Sequence, residues 1–293
     1  MNKYIISFIL LVAFSVSGIS QKVSFYNFEQ LPKVINENLK KVQQDKPFAT
    51  LNELKANCVT AQYEQGINYT NLPKANKKVL KTKDLVQTIK PTSLVLCKLK
   101  RGFGMYEDFV LIGASAVVIS EDGLCVSNYH VFESLINEGQ SMMPQDSLFF
   151  AADSHGNVYE VTGVKSYSKS GDLALFTIDT RGAKLACAPL GNDLEVGENV
   201  HTMTAPNQQA YYYTQGIVAR NSGFDNNPWE NRSEITADFA IGSSGGPVFD
   251  DRGNLVSIVS STTSVYAGNG NSRDWQMVMK LCIPVSSVKK LVN

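Results

Sequence analysis

The chain is poor in the side chains that mark metal, membrane and nucleic-acid proteins. It has three histidines, at 130, 155 and 201, and five widely spaced cysteines, Cys58, Cys97, Cys125, Cys187 and Cys282. None of these spacings matches a zinc site, so no metal is expected. Five cysteines are too few for a disulfide scaffold, and an odd number leaves at least one unpaired or bonded to another chain. Cys97 and Cys125 lie in apolar runs, where a free thiol behaves as a small hydrophobe, so mostly free, buried thiols are expected. Charge of one sign is also missing: 27 basic groups face 27 acidic ones. With no basic excess to neutralise phosphates, a nucleic-acid partner is not expected. Internal repeats are absent, and after residue 16 there is no apolar run long enough to cross a bilayer. What remains is 43% hydrophobic and 18% charged, a balance that excludes a disordered chain and allows one or two packed domains.

The first residues stand apart. Met1-Asn2-Lys3 carries a positive charge, Tyr4 to Val16 is almost unbroken apolar sequence, and Ser17-Gly18-Ile19-Ser20 is small. This order reads as a secretory signal peptide over 1–20, cut near Ser20-Gln21; an uncleaved anchor or a buried strand is the competing reading. A secreted or periplasmic protein with no membrane span after cleavage is expected.

The rest divides near residue 82. Leu31, Val34, Ile35, Leu39 and Val42 recur at three- and four-residue steps, predicting one amphipathic helix that Pro47 ends. Thr50-Leu51-Asn52-Glu53 has capping-box spacing and predicts a second helix. Residues 64–82 are polar and read as a linker, and a short helix is expected over Asp84 to Ile89. Beyond this point Val-, Ile- and Leu-rich runs alternate with turn signals. Strands are expected at 93–100, 109–120, 124–127, 148–152, 158–167, 173–178, 199–203, 211–219, 233–237, 247–249 and 255–260, with a last helix after Pro284. Many short strands between terminal helices argue for an all-β barrel or sandwich.

Three stretches carry chemistry. Gly242-Ser243-Ser244-Gly245-Gly246-Pro247 offers a hydroxyl in a glycine-flanked turn, which suits a nucleophile that needs backbone N–H groups nearby for an oxyanion. The plain alternative is a Gly/Ser loop without a chemical role. In Val126-Ser127-Asn128-Tyr129-His130-Val131-Phe132 a histidine ends a strand among small polar residues. His155 lies in a polar turn and reads as a surface residue, and His201 lies in an apolar run and reads as core. Ser170-Gly171-Asp172-Leu173-Ala174 puts an acid before an apolar strand, where burial is costly unless the acid is hydrogen-bonded; it either orients an imidazole or caps a turn. Together the order is His, Asp, Ser, unlike the Ser, Asp, His order of α/β-hydrolases.

At these residues the sequence resembles a trypsin-like serine peptidase, closest to the HtrA branch. The likeness runs over roughly 83–293. It takes in Gly113 to Ser120, Asp122-Gly123, Asn128 to Val131, Gly171 to Leu175, Val196-Gly197-Glu198, Ala205-Pro206, Thr214 to Val218, Thr236-Ala237-Asp238, Gly242 to Pro247 and Ile283-Pro284-Val285. It implies two six-stranded antiparallel β-barrels, about 93–185 and 186–280. A short helical region over 21–82 precedes them, its role being propeptide, docking element or lid, and a C-terminal helix closes them. It also implies Ser244 as nucleophile, His130 as base then acid, Asp172 as its orienting partner, and the N–H groups of Gly242 and Ser244 as oxyanion hole, acting on protein or peptide substrates without a cofactor. There are departures. Ser243 stands where trypsin has an Asp that pairs with a new N-terminus, so zymogen activation of that kind is not expected. The PDZ domains usual in the HtrA branch are not recognised before Asn293. For the pocket, the resemblance offers two readings of Asp238, six residues before Ser244: a pocket carboxylate that would favour a basic residue before the cut bond, or the Asp of the HtrA branch, which is not a base-binding group. Beside Ser260, also expected to bind substrate, Thr262 would replace a Gly at the pocket mouth and narrow it toward small aliphatic residues. A catalytically silent trypsin-like fold used for binding, and an esterase, are the competing functions.

Overall fold

The computed structural model describes residues 23–292, apart from 103, 105–106, 138–145, 224–225 and 269–273. The signal segment expected over 1–20 therefore lies outside the described residues. Two closed six-stranded antiparallel barrels form the body. The first is built from β2 (Ser93–Lys100), β3 (Phe109–Val118), β4 (Leu124–Ser127), β5 (Asp146–Ala152), β6 (Val158–Ser168) and β7 (Leu173–Ile178). Their order is β6-β5-β2-β3-β4-β7, and a β6–β7 ladder closes the ring. The second ring contains β8 (Asn199–Thr204), β9 (Tyr212–Ser222), β10 (Arg232–Ile235), β11 (Pro247–Phe249), β12 (Leu255–Tyr266) and β13 (Trp275–Pro284), ordered β10-β13-β12-β11-β8-β9. Closure leaves neither sheet with a free edge.

Alternation along the strands separates the apolar side chains into distinct clusters. On β2, Leu94 and Leu96 face one way and Val95 and Cys97 the other. The first face packs with α2 (Leu51–Cys58) and with α4 (Tyr129–Ile136), through Leu54, Phe132 and Leu135. The second joins a larger cluster with α1 (Leu31–Asp45), α3 (Thr82–Ile89), α5 (Val285–Leu291) and the second barrel's Met203, Phe249 and Ile258. All five cysteines are free thiols, and four of them are buried.

The N-terminal region is part of this packing. Leu31, Ile35 and Leu39 on α1 are at most 2% exposed, against the first barrel. The capping box at Thr50 and Glu53 is formed in both directions. The linker expected over 64–82 proves to be a docked strap. It begins after β1 (Gln62–Tyr63), which adds to β6 as a parallel strand, and crosses to the second barrel. There Asn76 and Asn254 bond reciprocally, Asn76 N–H to Asn254 Oδ1 (2.7 Å) and Asn254 Nδ2 to the Asn76 carbonyl (3.1 Å), while Leu80 N–H donates to the Asp251 carbonyl. Polar composition misled here because the strap docks through backbone groups together with a few scattered apolar side chains, Ile67, Tyr69, Leu72 and Leu80, that pack against the core. The sequence reading also missed β13 and the outer half of β12, whose exposed Ser/Thr-rich run looks like a loop until paired. Among the described residues, no helix is long and apolar enough to cross a membrane.

Candidate active site

His130 is the second residue of α4, where β4 gives way to the helix. Its backbone N–H donates to Asp172 Oδ1 (3.1 Å), and its Nδ1 lies 2.9 Å from Oδ1 and 3.1 Å from Oδ2 of the same carboxylate. Asp172 occupies a turn before β7 with φ +54°, a conformation that costs a non-glycine residue about 1 kcal/mol or more. Asn128 Nδ2 holds its carbonyl (3.0 Å), and Ser260 on β12 donates its hydroxyl to Oδ2 (2.7 Å). The carboxylate is thus gripped by both barrels and satisfied where burial would otherwise be costly. Burial of the imidazole, the largest influence on it, draws its pKa down. The Asp172 hydrogen bond and charge, helped by Glu133, outweigh that and leave His130 above its ordinary 6.5. The ring keeps 45% exposure toward the cleft, enough for proton exchange.

Ser244 lies in the β10–β11 connection, which is bound to the first barrel. Ser115, on β3 and 1% exposed, donates its N–H to the Ser244 carbonyl (2.9 Å) and its hydroxyl to the Gly242 carbonyl (3.1 Å), and accepts the Ala205 N–H (3.1 Å). Two glycines permit this approach. Gly242 has φ +92°, and a Cβ there would sit 2.5 Å from the Ala205 carbonyl oxygen; at Gly245, φ +78°, it would meet Ser127 Oγ at 1.9 Å. The Ile241 carbonyl accepts the Asn207 N–H (2.6 Å), which turns the following Gly242 N–H away from Asn207. Among the described residues, the Gly242 and Ser244 N–H groups donate to no acceptor. Ser243, in place of the trypsin Asp, is buried and bonds Thr204 Oγ1 (3.0 Å).

Ser244, Gly242 and His130 line one cleft of about 430 Å³. The Ser244 hydroxyl makes no hydrogen bond to His130 in this conformation; such contacts are often long until substrate binds. A second recess of about 180 Å³ opens beside Ser244 between Phe239, Ala240, Ile241 and Val259 to Thr262. Ser260 and Thr262 line it, but Asp238 does not. The Asp238 side chain is 81% exposed and pairs with Lys280 (2.8 Å), while Thr214 Oγ1 fixes its carbonyl (2.8 Å). Of the two readings of Asp238, the pocket carboxylate is not the one seen: backbone anchoring to β9 aims the side chain at β13 instead. His155 sits in an exposed turn. His201 is buried between Tyr213 (2.8 Å) and Asp251 (2.8 Å), away from the cleft. A larger polar cavity of about 960 Å³, near Asn192 and Arg252, contains none of the candidate groups. Ser115, Asn207 and Ser127 escaped sequence reasoning as functional residues. Only their place in three dimensions distinguishes them, although Ser115 lies in a stretch that carries the resemblance. Among the described residues, no cluster of three potential metal ligands occurs.

Residues 114–258 match the family model of the trypsin-like peptidase domain. This stretch, just under half of the chain, is similar to a trypsin-like peptidase domain. Among curated proteins, it is 28% identical over 188 residues to a "Probable periplasmic serine endoprotease DegP-like" of Brucella suis, an alignment spanning 61% of this chain and 32% of that protein. It is 29% identical over 188 residues to "Protease Do-like 5, chloroplastic" of Arabidopsis thaliana, covering 61% of this chain and 55% of the relative. The chain thus spans about a third of the length of the bacterial relative. Two solved structures share the fold. "HtrA-type protease AlgW with decapeptide" aligns with TM-score 0.54 and 18% identity, over 72% of this chain and 66% of the other. "Crystal structure of Deg5" aligns with TM-score 0.51 and 20% identity, over 72% and 94%. The family match begins within β3 and ends within β12, so it spans parts of both barrels, and the helices before β2 lie outside it.

Proposed function

We propose that this chain is a serine endopeptidase that cleaves protein or peptide substrates outside the cytoplasm. The observation that carries the reading is the His130 imidazole held on Asp172 in one cleft with Ser244 and two unengaged N–H groups. Rotation of the Ser244 side chain brings its Oγ to His130 Nε2. As Oγ bonds to the substrate carbonyl carbon, Nε2 takes its proton, and the Gly242 and Ser244 N–H groups receive the negative oxygen. Each such donor is worth about 3 to 4 kcal/mol at the transition state. Asp172 steadies the imidazolium. The carbon–nitrogen bond then breaks as Nε2 passes the proton to the leaving amine. Water repeats the sequence against the acyl-enzyme, giving up a proton to Nε2, which returns it to Oγ. Ser260 and Thr262 line the recess for the side chain before the cut bond, which suits small aliphatic residues. The names of the relatives, "periplasmic" and "chloroplastic" proteases, and the apolar leader support export; sequencing the mature N-terminus from an expressing cell tests it.

A fluorophosphonate probe tests the chemistry. Labelling of the folded wild type and none of Ser244→Ala is expected, with peptide hydrolysis falling by about 10⁴-fold or more. Persistent failure of the wild type to label or cleave would favour the silent binding protein instead.

A further inference from the structure

The cleft holding His130 has a composition that proton transfer alone does not explain. Since His130 hands its proton to the leaving nitrogen, the departing half of the substrate runs over the His130 and Val131 side of Ser244. There the cleft is walled by Leu96, Leu111, Val131, Phe149 and Ile241, an apolar surface interrupted by Lys98 and Lys100. A bulge between β2 and β3 leaves Gly113 unpaired and sets Leu96 opposite Ala114 but Lys98 opposite Leu111. Leu96, Lys98 and Lys100 share one strand face, so the two lysines stand about 7 and about 13 Å beyond Leu96.

Their charge is only half balanced. Asp146, with a side chain 2% exposed, receives Lys98 at 2.7 Å and pairs with Lys100 through its other oxygen. Burial pushes the Asp146 carboxyl up, but the two ammonium groups outweigh it and hold the pKa below the usual carboxylate value. Asp146 is therefore ionised at neutral pH and offsets one positive charge of two. Among the described residues, no further carboxylate pairs with either lysine. One positive charge is left over on an apolar wall, where weak solvent screening strengthens its pull on an anion.

We propose that this side of the cleft selects substrates with a bulky apolar residue directly after the cut bond and a carboxylate about two to four residues further on, at roughly 3.3 Å per extended residue. The carboxylate is supplied by an acidic side chain or by the peptide's own C-terminus. The proposal rests on the hydrolase reading for the direction of the substrate. Internally quenched peptides with Leu after the cut bond test it. One series carries Glu or Gln at the third position with amidated ends, and another carries Gln with a free-acid or amide end. The wild type is expected to favour the carboxylate member of at least one series by about 10-fold in kcat/KM, mainly through KM, and less so in high salt. A preference in the first series assigns the side chain and in the second the terminus. Lys98→Gln, which leaves Lys100 paired with Asp146, is expected to bring the ratio close to one, and Lys98→Arg to restore it. The same peptides are titrated against Ser244→Ala by fluorescence anisotropy. A carboxylate preference in binding without any cleavage by the wild type would sink the hydrolase reading and keep this one. Equal cleavage and equal binding in both series, or a preference that both Lys98→Gln and Lys100→Gln leave intact, would overturn it.

Discussion

Asp172 is held in its left-handed turn by a residue from outside the matched domain. Glu64 Oε1, on the strap after β1, accepts the Ser168 hydroxyl (2.8 Å) and the Ser170 hydroxyl (2.9 Å), and Ser168 Oγ in turn accepts the Gly171 N–H (2.8 Å). Glu64→Ala is expected to lower kcat several-fold with KM little changed and to cost about 1 to 2 kcal/mol of stability, while Glu64→Gln, which keeps an acceptor, recovers most of both. Steady-state kinetics and urea denaturation of the two variants check this. At Gly245 even one methyl group is too much, because Ser127 Oγ and the Ser115 carbonyl oxygen lie 1.9 and 2.5 Å from its place. Gly245→Ala is expected to displace the Ser244 loop and abolish fluorophosphonate labelling while the barrels retain their circular dichroism. His130 sets the pH response. Its base form is lost on protonation, so kcat/KM falls toward acid with an apparent pKa above 6.5. Any stability gained from the protonated form is present at low pH and lost as pH rises through that value. Ser260→Ala, which removes one bond to Asp172, is expected to move the acid limb measurably in a pH–rate profile.

At the level of elements, the helices before the barrels are core rather than appendage. Leu31, Ile35, Leu39, Leu85 and Ile89 fill the same cluster as Val95, Leu124 and Leu255, and each such side chain contributes about 1.5 to 3 kcal/mol by burial. Ile35→Ala is expected to cost about 2 to 5 kcal/mol in chemical denaturation. A chain begun at residue 93 is expected to be insoluble or rapidly digested by an added protease. Tyr63 of β1 packs on Tyr167 (5.4 Å between rings), which stacks on Tyr129 (5.5 Å), the neighbour of His130. The helices were legible because their apolar period is local. The route of the strap and the pairing of β13 were not, because they depend on partners more than a hundred residues away or on a hairpin whose outer side chains face solvent.

For the molecule as a whole, sensitivity to acid follows from its carboxylates. Asp146, Asp179 and Asp251 lie below their ordinary values, Asp146 and Asp251 despite the opposing pull of burial as the largest influence, Asp179 chiefly through its bond with Lys46. A group depressed on folding lends stability that is complete above its unfolded pKa of about 4 and is lost as pH falls through the folded value. The unfolding free energy is therefore expected to hold between about pH 5 and 7 and to drop steeply below pH 4, as followed by tryptophan fluorescence in an acid titration.

The all-β class, the terminal helices and the His130, Asp172 and Ser244 candidates were readable from one chain, because alternation, turn residues and short motifs are local properties that survive without coordinates; the two-barrel form came only from the family resemblance. Tertiary structure alone decided that Asp238 turns out to Lys280, that Ser115 and Glu64 brace the cleft, and that Lys98 and Lys100 share a single buried Asp146. Each of these depends on which side chain a distant strand brings opposite, and closing a barrel fixes that through register and bulges that no single segment carries.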